Sequence, residues 1–194
     1  MAYKAITVLC AGLLLGSLFA FCAADDAEDL TDLRSASVVP DVLNSIDQSA
    51  GVRLNISYGS INFHTSTGRL TLAQTANAPS VHVMGGPNGA LYSLALSDPD
   101  APIPTNPSAR EWLHWLVINA PGDDLGSGEV LYDYNAPAPP GGLHRYIFTL
   151  YSQPGGGNVT VAKPESRANF RAGRFGEGTL VPVNAAYFSA QAGF

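Results

Sequence analysis

The run Trp112-Leu113-His114-Trp115-Leu116-Val117-Ile118, closed by Asn119, is apolar at every second position in both registers, with one histidine as the exception. Successive side chains of a strand point to opposite faces. A strand of this kind must therefore be covered on both sides, and a sheet with one wet face will not accommodate it. Leu91–Leu96 and Leu143–Tyr151 flank it with two more apolar strand-like runs. Each run carries titratable residues where a strand ordinarily has Val or Ile. They are Asp98 and Asp100 at the end of the first, Glu111 and His114 in the middle one, and His144, Arg145 and Tyr146 in the last. Such groups, once buried, have to pair with one another or with a ligand.

The remaining chain supplies shorter pieces. Leu30 and Leu33 behind acidic residues suggest a short helix over Asp26–Ser37. Val52–Ile56 alternates as a half-exposed strand does, and Tyr58–Phe63, Leu70–Leu72 and Ser80–Met84 read as further strands, with glycines between them. Ala136-Pro137-Ala138-Pro139-Pro140-Gly141-Gly142 is a stiff loop leading straight into the His144 strand. Arg167–Phe175, with Phe170 and Phe175 apolar, looks like a short amphipathic helix, and Leu180–Phe188 reads as a last strand.

The first residues read as an export signal. Lys4 precedes the apolar stretch Ala5–Ala20, small residues follow at Cys22-Ala23-Ala24, and Asp25-Asp26 come next. Cleavage after Ala24 divides the chain into a signal peptide, 1–24, and one domain, 25–194. A membrane anchor is the alternative for the same stretch, since its length is close to the shortest span. Both cysteines, Cys10 and Cys22, lie in this segment. The secreted chain is thus expected to have no disulfide, and its stability to come from its core. Hydrophobic residues at 46% against 13% charged make that core available. Asn55-Ile56-Ser57 and Asn158-Val159-Thr160 are glycosylation sequons if the exporting cell is eukaryotic. A net charge of −6 argues against nucleic acid as a partner. A monomer without cofactor or transmembrane segment is expected after cleavage.

Strand periodicity lets the titratable residues be grouped. His144, Tyr146, Phe148 and Leu150 share one face of their strand, and Arg145, Ile147, Thr149 and Tyr151 the other. Trp112, His114 and Leu116 share a face of the middle strand. Asp98 and Asp100 bracket Pro99, so in an extended corner both carboxylates point the same way. Close packing of the three strands then collects two carboxylates, two imidazoles and a phenol. Three chemistries compete for this set. A metal site would use Asp98, Asp100, His114 and His144, but no local ligand spacing supports it. A serine hydrolase lacks its Gly-x-Ser-x-Gly turn. An anion site uses the imidazoles, the phenol and the backbone N–H groups of Gly141 and Gly142 as donors. On that reading the carboxylates keep both imidazoles protonated. Arg145, on the opposite face, pairs with a carboxylate under the sheet.

Three blocks in order, Asp98-Pro99-Asp100-Ala101-Pro102, Arg110-Glu111-Trp112-x-His114 and Gly142-Leu143-His144-Arg145-Tyr146, resemble the phosphatidylethanolamine-binding protein family. The resemblance extends over roughly Val38–Gln191 and includes Asn169-Phe170-Arg171. It implies a mainly β fold, a large central sheet packed on a smaller one with a few short peripheral helices. It also implies a pocket at one end of the sheet for a phosphorylated lipid head group or other small anion. By motif match, Asp98, Asp100, Pro102, Trp112, His114, His144 and Tyr146 line it, with no catalytic residue and no metal. Members of the family also act through protein partners, serine-protease inhibition among them. The Pro139–Gly142 loop is about two residues shorter than usual, and the chain stops at Phe194 without the C-terminal helix of animal-type members. A more open pocket is expected from both. The reading as a whole is a secreted binding protein and not an enzyme, with a hydrolase as the weaker alternative.

Overall fold

Strand β8 (His144–Ser152) runs through the middle of a six-stranded sheet in a computed structural model that describes residues 23–193. The other strands of the molecule are β1 (Val52–Tyr58), β2 (Ile61–Phe63), β3 (Ser66–Arg69), β4 (Ser80–Gly85), β5 (Leu91–Asp98), β6 (Trp112–Pro121), β7 (Glu129–Tyr132) and β9 (Val181–Ala190). The large sheet has the order β3-β9-β8-β5-β6-β7 and is antiparallel except where β3 runs parallel to β9. A three-stranded sheet, β2-β1-β4, packs on one of its faces. Helix α1 (Ala23–Ser35) lies at the start of the described chain. The signal-peptide segment falls almost wholly outside the described residues, and α1 begins across the expected cleavage point. Among the described residues no helix is long and apolar enough to cross a membrane.

Two cores account for the doubly apolar strands. Leu54, Ile56 and Tyr58 of β1 meet Leu94, Leu96, Phe148, Leu150 and Phe188 between the sheets. On the other face Ala95, Leu116, Ile147, Tyr151 and Ala185 are covered by Leu33, Val38, Val39, Val42, Leu43, Phe170 and Leu180. Full burial of one Leu or Phe contributes roughly 1.5–3 kcal/mol. The large sheet is therefore an inner layer with cover on both sides, as the middle strand required.

Three local readings are corrected. Tyr58–Phe63 is not one strand. Its residues Gly59 and Ser60 form a two-residue turn, with Tyr58 opposite Ile61. Gly59 takes φ +61°, the left-handed value that such a hairpin needs at its first central position. Arg167–Phe175 is not a helix beyond one 3-10 turn, Ala172–Arg174. Its backbone bonds leave the segment instead: Phe170 N–H donates to Glu111 O at 2.9 Å, Glu111 N–H to Phe170 O at 3.1 Å, and Leu113 N–H to Arg167 O at 2.7 Å. Asn169, at φ +62°, also breaks helical geometry. Leu70–Leu72 follows β3 instead of forming a strand, and the short edge strand β7 was not anticipated.

β6 contains the distortion that matters most for the site. Leu96 pairs with Trp115 and Ser97 with Leu113, so His114 is the extra residue of a bulge. A bulge re-aims side chains. His114 and Trp115 consequently look toward the same face, and Leu116 packs with Leu113 on the opposite one. The expectation that Leu116 shares a face with Trp112 and His114 is thus overturned.

Candidate functional site

The ends of β5, β6 and β8 surround a cavity of about 290 Å³. Asp98, Pro102, Trp112, His114, His144 and Tyr146 all line it, together with Ala101, Ala109 and the loop residues Asn135, Ala136, Ala138, Pro139 and Pro140. Six of the seven residues marked from sequence are therefore brought together. Asp100 is not among them.

The corner after β5 explains that exception. Asp98 folds back on itself, its Oδ1 accepting the Asp100 N–H at 2.8 Å. This turn sends the two carboxylates in different directions, where an extended corner would have aligned them. Asp100 is captured by Arg145: its Oδ2 accepts from the Arg145 backbone N–H at 2.9 Å and from Nε at 2.9 Å, and its Oδ1 from Nη2 at 2.7 Å. Burial pushes the Asp100 carboxyl up, but the Arg145 hydrogen bonds and charge outweigh it and hold the group below the usual carboxylate range. Arg145 also donates to the carbonyls of Ala36 and Ser37, tying the segment after α1 to the corner.

His144 forms the floor of the cavity and is fully buried. Its Nδ1 lies 2.7 Å from Asp98 Oδ2 and its Nε2 3.0 Å from Gly141 O. Both partners are acceptors, so both ring nitrogens carry protons and the ring is an imidazolium. Burial opposes that charge, yet the Asp98 hydrogen bond and charge raise the pKa above the ordinary histidine value. The backbone groups near Gly141 thus differ from expectation, because a carbonyl faces the imidazole and not a free N–H.

His114 behaves differently. Its Nδ1 donates to Asn135 O at 2.6 Å. Burial in the β6 bulge lowers its pKa, against the opposing pull of the Asn135 hydrogen bond and Asp98. The ring is held neutral at neutral pH, and its Nε2 is an acceptor. The expectation of two protonated imidazoles is corrected to one. Asn135 was missed from sequence. It lies 21 positions beyond His114 and acts through its carbonyl, which any residue type could supply.

Tyr146 stands between the two imidazoles. Its ring stacks on Phe188 at 5.1 Å and meets His114 edge to face, also at 5.1 Å. Burial pushes the phenol's pKa well up, so it stays protonated. Its hydroxyl has no hydrogen-bond partner among the described residues and remains available to a guest. Trp112 contributes an apolar wall, its indole only 3.5 Å from Asn135 Oδ1. Behind the cavity, buried Glu111 accepts from Ser97 Oγ at 2.7 Å and from Ala172 N–H at 3.0 Å, fixing β6 to the segment around Phe170. Among the described residues no three His, Cys, Asp or Glu side chains are placed to share a metal ion.

Residues 49–181 match the family described as Phosphatidylethanolamine-binding protein. Protein BROTHER of FT and TFL 1 from Arabidopsis thaliana is 35% identical over 170 residues, covering 85% of this chain and 93% of its own length. CEN-like protein 1 from Nicotiana tabacum is 36% identical, covering 80% and 89%. Among solved structures, a carboxypeptidase Y inhibitor complexed with its cognate proteinase superposes with a TM-score of 0.72 at 21% identity, covering 85% of this chain and 95% of the inhibitor. At that identity the likeness speaks for the fold alone.

Proposed function

Because the chain belongs to the phosphatidylethanolamine-binding protein family, we propose that it is an exported binding protein that takes a phosphorylated head group or another small anion into the cavity at the end of the large sheet. The observation that carries this reading is His144. A buried imidazolium, braced by Asp98, supplies positive charge, and the protonated phenol beside it, its hydroxyl free, supplies the donor to an incoming oxyanion. A charge-assisted bond of this kind is about twice as strong as a neutral one. The volume of about 290 Å³ suits a head group, not an acyl chain. Pro102, Trp112, Pro139 and Pro140 give the cavity apolar walls beside the charge. The lining contains no serine, threonine, cysteine or lysine to serve as a nucleophile, which favours binding over hydrolysis.

A second reading, action through a protein partner, is favoured by the rim. Ile103 and Leu143 are exposed apolar residues beside the 139–142 loop. Together they offer a partner two apolar contacts at the mouth of the cavity.

Calorimetric titration of the purified chain with phosphoethanolamine and with inorganic phosphate tests the main reading. Saturable one-site binding is expected, weakened roughly ten- to a hundredfold in His144→Gln, with no turnover of peptide or phosphoester substrates. Absence of binding at millimolar concentrations of either compound refutes it.

A further inference from the structure

One peptide group, Gly141–Gly142, follows the cavity-lining Pro140 and takes the ring proton that a ligand oxygen would use. Its carbonyl accepts from His144 Nε2 at 3.0 Å, and Asp98 takes the other ring proton at 2.7 Å. The imidazolium therefore has no proton left for a guest. The N–H of the same peptide belongs to Gly142 and donates to no backbone carbonyl among the described residues.

The residues on either side are both glycine. Gly142 sits at φ +85°, and a Cβ on Gly141 would meet nothing nearer than Ile103 Cγ2 at 3.7 Å. Without Cβ atoms, glycine adopts φ values of either sign at similar cost. Rotation of the central peptide plane by about 180° is the step that separates type II from type I turns. It moves the third residue of the turn from positive to negative φ. Here the rotation would withdraw the Gly141 carbonyl and present the Gly142 N–H to the cavity.

Resting on the anion reading above, we infer that an anion entering this cavity displaces the Gly141 carbonyl from His144, and that the Gly141–Gly142 peptide turns over so that Gly142 N–H donates to the anion. The site gains a donor in exchange for an acceptor when a guest arrives. Asp98 and His144 stay paired throughout. The selectivity that results is for acceptor-rich guests, since a guest that only donates gains nothing by evicting the carbonyl.

The test uses nitrogen-15-labelled chain titrated with inorganic phosphate and phosphoethanolamine, read by NMR. The Gly142 amide proton is expected to move downfield in step with saturation, and a scalar coupling to phosphorus-31 is expected across the new hydrogen bond. Saturable binding that shifts His144 but leaves the Gly142 amide in place, without coupling, overturns the turning-over and leaves the anion reading intact. No binding overturns both. A variant pair gives a second reading. A Cβ at residue 142 would lie 2.8 Å from Pro104 Cδ, so Pro104→Ala serves as the reference. Adding Gly142→Ala penalises the positive-φ form and should raise phosphate affinity over that reference by up to about tenfold. Equal or weaker affinity in the double variant refutes the inference.

Discussion

Replacing Arg145 with Leu removes the cation that the structure places against Asp100, and its cost is worked from four contacts. Asp100 loses two side-chain bonds at 2.9 and 2.7 Å, and the carbonyls of Ala36 and Ser37 each lose a donor at 3.1 Å. The Asp100 side chain is 11% exposed, so its carboxylate is left nearly dry, while Arg145 at 20% keeps some contact with water. Breaking a fully buried pair costs 3–5 kcal/mol, and partial exposure of the arginine reduces this to about 2–4 kcal/mol. For a chain of this size each kcal/mol shifts the melting temperature by about 2–4 °C, so a fall on the order of 10 °C is expected at pH 7. The pH dependence identifies the cause. A carboxylate with a depressed folded pKa contributes stability above its unfolded value near ~3.9 and loses it as pH falls through the folded one. The gap between wild type and Arg145→Leu should therefore shrink below about pH 4. Arg145→Leu with Asp100→Asn should regain part of the loss, since no unpaired charge remains. Melting followed by circular dichroism measures all three chains. A single variant that melts within 2 °C of wild type, or a gap that is flat with pH, would show that Asp100 does not depend on Arg145.

Affinity for a phosphodiester, whose own charge is constant, should fall as pH rises above the ordinary histidine value near ~6.5 and through the raised value of His144. It should strengthen again in acid as His114 gains its proton below that value; imidazole NMR that shows both rings titrating together sinks this assignment. Gly128→Ala would place a Cβ 2.6 Å from both Ala120 Cβ and the Ile118 carbonyl oxygen, an overpacking expected to cost about 1–3 kcal/mol in denaturant unfolding. Protein recovered from its native source should begin near Asp25 by mass spectrometry, and an intact Met1 terminus would refute export by cleavage. If a eukaryotic secretory route is used, Asn158, exposed in a loop, should carry glycan more fully than Asn55, half-buried within β1.

Periodicity made the strands that build the cavity legible, because β5, β6 and β8 are apolar on both faces and their polar residues stand out against that background. It also placed His144 with Tyr146 and set Arg145 opposite. Local hydrogen bonding is where it stopped. Asp98 and Asp100 have the spacing of same-side residues, but a turn closed by the Asp100 N–H separates them. Equal spacing likewise failed at Leu116, because a bulge at His114 shifts the count by one. The charge of His114 depends on its burial and on the Asn135 carbonyl, neither of which has a residue-type signature. The Arg167–Phe175 segment, with Phe170 and Phe175 apolar among polar residues, read as an amphipathic helix, but its backbone found partners on Glu111 and Leu113 instead.

The two faces of β8 give the molecule its division of labour. His144 and Tyr146 open to the cavity, and Phe148 and Leu150 continue the same face into the core beneath the small sheet. One residue along, Arg145 closes the Asp100 corner, and Ile147 and Tyr151 continue that opposite face into the second core. A one-residue slip of β8 against β5 or β9 would bring Arg145 to the cavity floor and bury His144 against the segment after α1. The β8–β9 ladder shifts register between Leu150 and Tyr151, far from the cavity. At the cavity end of the strand Arg145 supplies a side-chain lock. Both its backbone N–H and its guanidinium bind the same Asp100 carboxylate, so register and side-chain direction are fixed at one point. The same Asp100 N–H that pairs with Asp98 Oδ1 then holds the second carboxylate at the distance His144 requires. The structural ion pair and the proposed anion site are thus coupled through two backbone amides, and a variant that loosens Asp100 should loosen the charge on His144 as well.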